Sequence, residues 1–164
     1  MREISQHLIL GVSQEINLLS GVFLSCMNIL PGTDRALALR TDFSDEATWR
    51  SLSSDIQQTY GEFQAYVTLL SNPEYDGATP EQVLAAVPRR WNHTFLFIVD
   101  RVALEHREHP ILVMDLWAER GRTFRVIPSE LWSVENNLSI ANMDFAEFAQ
   151  AVDPDGIFRG FPST

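Results

Sequence analysis

The residue pattern predicts an α/β (α+β) fold: a mixed sheet of about five strands packed by helices, with an added N-terminal helix. Three observations carry this reading. Two short apolar runs, T-F-L-F-I-V at 94 to 99 and I-L-V-M-D-L-W at 111 to 117, have the length and the branched and aromatic content of strands buried on both faces. Helix-starting signals fall between strand-like runs, as an alternating order of strands and helices requires. Gly121, in the A-E-R-G-R turn between the second run and T-F-R-V-I at 123 to 127, predicts a tight antiparallel hairpin.

In chain order, Ile9, Val12, Ile16, Leu19, Phe23, Cys26 and Leu30 recur at steps of three and four, which makes residues 1 to 29 a helical extension with an apolar seam. Such a seam invites self-association or docking of a partner helix. The stretch 16 to 33 is uncharged, so a signal peptide or membrane anchor competes with this reading; Glu15 and the polar interruptions at Asn17, Ser20, Ser25 and Asn28 argue against both. Residues 30 to 164 then form a single domain. R-A-L-A-L-R-T at 35 to 41 reads as its first strand. Asp42 with Ser44 caps a helix from about Asp45 to Tyr60, with Trp49, Leu52 and Ile56 on one face, and Gly61 closes it. F-Q-A-Y-V-T-L-L at 63 to 70 is a second strand. Thr79-Pro80-Glu81-Gln82 is a capping box with proline at the first helical position, opening a short helix to Val87. Helices near 129 to 141 and 145 to 152 finish the domain, Asp144 capping the latter with Glu147 three residues on.

Composition removes several function classes. All 12 basic residues are arginines, so there is no lysine for a Schiff base or a phosphate-binding P-loop, and no glycine-rich phosphate loop is present. A net charge of −10 repels phosphate backbones, which argues against nucleic-acid binding. A lone cysteine, Cys26, forbids an intrachain disulfide or a cysteine zinc site and suits a reducing cytoplasm. E-H-R-E-H at 105 to 109 sets His106 and His109 three apart, but Pro110 ends the segment and no third ligand adjoins it. No G-x-S-x-G elbow places a serine above a sheet. Nothing here calls for a cofactor.

Two groups of polar residues remain as candidate sites. Asp42, Asp100 and Asp115 fall at or near the ends of apolar strands, where carboxylates of an open α/β sheet can hold a metal ion and a phosphate. The structural alternative is a cap for Asp42, a turn for Asp100, and for Asp115 a place inside its strand facing Arg125. The second group lies in L-W-S-V-E-N-N-L-S-I-A-N-M-D-F at 131 to 145. On a helix, Trp132, Asn136 and Ser139 share one side while Glu135, Leu138 and Asn142 form another stripe. They make either a polar pocket or partner-recognition face, with Arg159 returning to pair an acid, or a core network in which Glu135 neutralises Arg159 and Asn142 ends a helical turn.

The runs L-R-T-D-F-S-D at 39 to 45, G-R-T-F-R-V-I-P at 121 to 128, W-S-V-E-N-N-L-S-I-A-N-M-D-F at 132 to 145 and D-G-I-F-R-G-F at 155 to 161 resemble a bacterial family of uncharacterised domains. The likeness covers about residues 30 to 161. It implies no reaction, cofactor or partner, and it sets residues 1 to 29 apart as an addition. The acidic surface and the lack of a competent catalytic set point to a non-catalytic cytoplasmic protein-binding module, accessory or immunity-type, that holds a basic protein partner and neither nucleic acid nor membrane. The rival is a small metal-dependent enzyme or nucleotide-binding protein working at the strand-end carboxylates.

Overall fold

The computed structural model describes residues 27 to 162, so most of the proposed N-terminal helix, Cys26 included, lies outside the described residues. The first strand, β1 (Ala36–Arg40), is buried at every position because strands flank it on both sides and helices cover both its faces. Helix α1 (Glu46–Ile56) follows, and its cap is Asp45, whose carboxylate accepts from the Thr48 amide at 2.9 Å. The sequence pattern assigned that cap to Asp42 with Ser44. Asp42 instead closes a local turn onto the Ser44 amide at 2.9 Å. α1 also ends earlier than expected, since residues 59 to 64 form a hairpin, β2 (Thr59–Tyr60) with β3 (Phe63–Gln64), around Gly61 at φ +63°. The expected second strand is therefore split into β3 and β4 (Val67–Leu70).

Helix α2 (Pro80–Ala86) carries the expected capping box of Thr79 and Gln82, with proline at its start. Strand β5 (Phe95–Val99) leads through the short α3 (Arg101–Glu105), capped by Asp100, to β6 (Ile111–Asp115) and β7 (Thr123–Val126). Then come α4 (Leu131–Ser139), α5 (Phe145–Gln150) and the two-residue β8 (Ile157–Phe158). The sheet has six strands in the order β4-β1-β5-β6-β7-β8, one more than the sequence suggested. β1 runs parallel to β4 and β5, β6 opposes both β5 and β7, and β8 runs with β7.

One face of the sheet packs Ala38, Phe97, Val113, Val126 and Phe158 against Trp49, Leu52 and Ile56 of α1, Leu131 and Val134 of α4, and Phe148 of α5. The other packs Leu37, Leu39, Ile98 and Met114 against Tyr75 and against Val83 and Ala86 of α2. The segment before β1 belongs to this second layer: Leu30 is buried there and its amide donates to the Ala86 carbonyl at 2.9 Å. Among the described residues no helix is long and apolar enough to cross a membrane.

Candidate functional site

The tail residues singled out in the sequence are mostly used to hold the fold. Trp132 stacks on Phe63 with ring centres 4.4 Å apart and planes 11° from parallel. One turn later the Asn136 amide donates to the Trp132 carbonyl at 2.7 Å and to the Gln64 carbonyl at 3.1 Å. Glu135 is buried, and its carboxylate accepts from the Tyr66 amide at 2.9 Å and the Ser139 hydroxyl at 2.7 Å. Together they pin residues 63 to 66 to α4, which replaces backbone pairing where the second strand breaks. Asn142 stands apart, exposed, donating to the Asn137 side chain at 2.7 Å, so Glu135 and Asn142 do not share a cavity.

Arg159 does not meet Glu135. Its guanidinium is shared by Glu108 at 2.9 Å and by Asp153 and Asp155, each at 2.7 Å. These contacts hold the Glu108 and Asp155 carboxyls below their ordinary range, hydrogen bonding to Arg159 being the largest cause in both. The cluster clips the chain after β8 to the loop before β6.

The three strand-end aspartates do not converge. Asp42 and Asp100 follow adjacent parallel strands, but β6 runs the other way, so Asp115 lies opposite Phe95, at the other end of the strands. The expected pairing of Asp115 with Arg125 is also absent. Arg125 sits opposite Leu112 and binds Asp100 through two hydrogen bonds of 3.0 and 2.6 Å. Among the described residues no group of three or more His, Cys, Asp or Glu could hold a metal ion. His109 faces the Ala103 carbonyl at 2.9 Å and His106 accepts from the Glu108 amide at 3.1 Å, so each serves its own loop.

The strand order reverses beside β1, and in open α/β sheets that is where a ligand crevice opens at the carboxyl ends of the strands. Here the protein fills it with its own side chain. Arg40 is 2% exposed, its guanidinium lying 4.1 Å from the Phe43 ring centre and 4.9 Å from that of Trp49. It donates to the Asp42 carbonyl at 2.8 Å and to Glu46 at 2.7 Å, while Nη2 has no partner among the described residues.

An open cleft lies at the opposite end of the strands. It measures about 350 Å³ and is bounded by the start of β5, the end of β6, the loop after β6 and the α4–α5 junction. Phe95, Leu138, Met143 and Phe145 give it apolar walls, and Asp115, Glu119 and Asp144 supply carboxylates. The buried Asp115 carboxylate accepts from the amides of Trp117 and Glu119, both at 2.7 Å, and so fixes the loop that carries Trp117. Trp117 is 80% exposed at the cleft wall. On the facing side Ala141 adopts φ +53°, a left-handed conformation that costs a non-glycine residue energy. Glu119 pairs with Arg122, and neither Asp115 nor Asp144 meets a cationic side chain among the described residues.

A family model described as a domain of unknown function, DUF6924, matches residues 35–161, a span that contains all six sheet strands and the cleft. The chain belongs to the DUF6924 family. No curated protein matches it. In this DUF6924 domain the strand-end crevice is closed by Arg40, and of the candidate site residues only Asp115 lines the cleft. Its one legible sign was a tryptophan set directly before the turn residues A-E-R-G. A strand reading that runs to residue 117 hides it, whereas β6 ends at Asp115 and Trp117 is already in the loop.

Proposed function

We propose that this DUF6924 domain is a non-catalytic, cytoplasmic protein-binding module of the accessory or immunity type, and that it holds a basic protein partner at the Trp117 cleft. The cleft carries the proposal. Trp117, at 80%, is the most exposed large hydrophobic side chain among the described residues, and it stands beside an apolar hollow whose lining contains three carboxylates and no arginine. Exposed aromatics next to a concave apolar surface are the groups that dominate binding energy when a partner desolvates them. A chain of net charge −10 accelerates the approach of a basic partner and disfavours acidic ones.

The test selects peptides from a random display library on the immobilised chain, with counter-selection on the double variant Trp117→Ala, Asp144→Asn. The enriched peptides are expected to be basic, to weaken several-fold when salt is raised to about 0.5 M, and to ignore the variant. No enrichment, or enriched peptides that bind the variant equally well, overturns the proposal.

A further inference from the structure

We propose that the Trp117 cleft is specific for an arginine side chain of the partner rather than for positive charge in general. This rests on the partner-binding reading above and deepens it. The walls made by Phe95, Leu138, Met143 and Phe145 mean that any cation entering the cleft leaves water behind. A lysine ammonium is compact and strongly hydrated, so it resists that transfer. A guanidinium is planar and weakly hydrated, stacks on an aromatic face, and still offers donors at its edge. The cleft presents an indole exposed on the wall and two carboxylates that meet no cationic side chain among the described residues: Asp115, buried and holding the Trp117 and Glu119 amides, and Asp144, the cap of α5.

The protein itself buries a guanidinium among aromatic rings at the other end of its strands. Arg40 enters an apolar layer almost completely, lies over Phe43 and Trp49 at 4.1 and 4.9 Å, and meets one carboxylate, Glu46, at 2.7 Å. The Trp117 cleft likewise brings an aromatic side chain and carboxylates into one apolar lining, with no arginine among its lining residues.

The experiment titrates the full chain with arginine, lysine and citrulline, each capped by N-acetyl and C-amide groups, and follows the Trp117 indole N–H and the amides of Glu119, Ala141 and Asp144 by NMR. Citrulline keeps the shape of arginine and removes its charge. Capped arginine is expected to shift these signals saturably and to bind about three- to fivefold more tightly than capped lysine, the size of an exposed cation–π contact, with no saturable shift from citrulline. Trp117→Ala, which melts like the parent because the side chain is exposed, is expected to abolish the preference, and Asp144→Asn to weaken both cations together. Equal binding of arginine and lysine, citrulline binding as well as arginine, or unmoved cleft signals overturns the proposal. Failure here with success of the library selection leaves a partner site without arginine specificity. Arginine binding together with a library that selects another surface removes the partner reading and leaves the arginine site.

Discussion

Two substitutions that delete the same ion pair, Arg40→Met and Glu46→Ala, should have very different costs. The side chains are 2% and 61% exposed, so they stand in opposite environments. Removing Arg40 frees Glu46 into water and leaves the Asp42 carbonyl to find a solvent partner in a half-buried loop. It also removes a buried charge and the unpaired Nη2, and a methionine sulfur suits a site between Phe43 and Trp49. These gains and losses nearly cancel, and Arg40→Met should lie within about 1 kcal/mol of the parent. Removing Glu46 leaves the guanidinium buried with a carbonyl at 2.8 Å and the Ser71 hydroxyl at 3.4 Å as its acceptors. Stranding a buried charge costs about 3–5 kcal/mol; water can enter the gap left by an exposed glutamate, so about 2–3 kcal/mol is expected. Urea unfolding with the slope held common reads this as a midpoint lower by roughly 1 M for Glu46→Ala and nearly unchanged for Arg40→Met. The reverse order, with Arg40→Met the more damaging, would refute the claim that desolvation of Arg40 offsets its contacts.

Three further outcomes follow from the geometry. Ala141→Gly relieves a left-handed alanine and should stabilise by about 0.5–1 kcal/mol, seen as a melting point a few degrees higher. Asn136→Ala should cost about 1–3 kcal/mol because two carbonyls lose their donor, whereas Asn142→Ala, at an exposed contact, should melt with the parent. Burial raises the Glu130 pKa, so its protonated form is the one the fold prefers. Its contribution is therefore present below its unfolded pKa and lost as pH rises through the folded one, and Glu130→Gln should stabilise at pH about 7 but not at about 4, measured by unfolding at both.

The strands were legible where burial on both faces made them continuously apolar, as in β5 and β6, and α2 was legible because Thr79, Pro80 and Gln82 each have one strong local role. β8 was not. Two residues, Ile157 and Phe158, carry no period, and their pairing with Arg125 and Val126 is decided by tertiary contact alone. The break between β3 and β4 leaves no mark in the sequence for a related reason: Ala65 and Tyr66 look strand-like, and only the carboxylate of Glu135, 69 positions away, explains why the Tyr66 amide leaves the ladder. Site residues divided in the same way. Trp132, Glu135 and Asn136 announced an unusual polar helix, but whether their amides and carboxylate serve the chain or a ligand depends on what packs opposite. Strand direction decided the fate of the three aspartates, and the antiparallel course of β6 is what places Asp115 at the other end of the strands.

The clip around Arg159 bears on how the domain is born. During synthesis β7 emerges with no neighbour on its outer side, and more than two dozen residues separate Val126 from Ile157, which pairs with that side. Until Ile157 and Phe158 arrive, β7 is an open edge able to recruit a second nascent chain. The acids that receive Arg159, namely Glu108, Asp153 and Asp155, all emerge before the arginine does, so the last short strand docks into a waiting receptor and the edge closes as soon as it can. A ribosome pausing between residues 130 and 156 would prolong the exposed interval, and chains released there would be the ones that chaperones and proteases must clear.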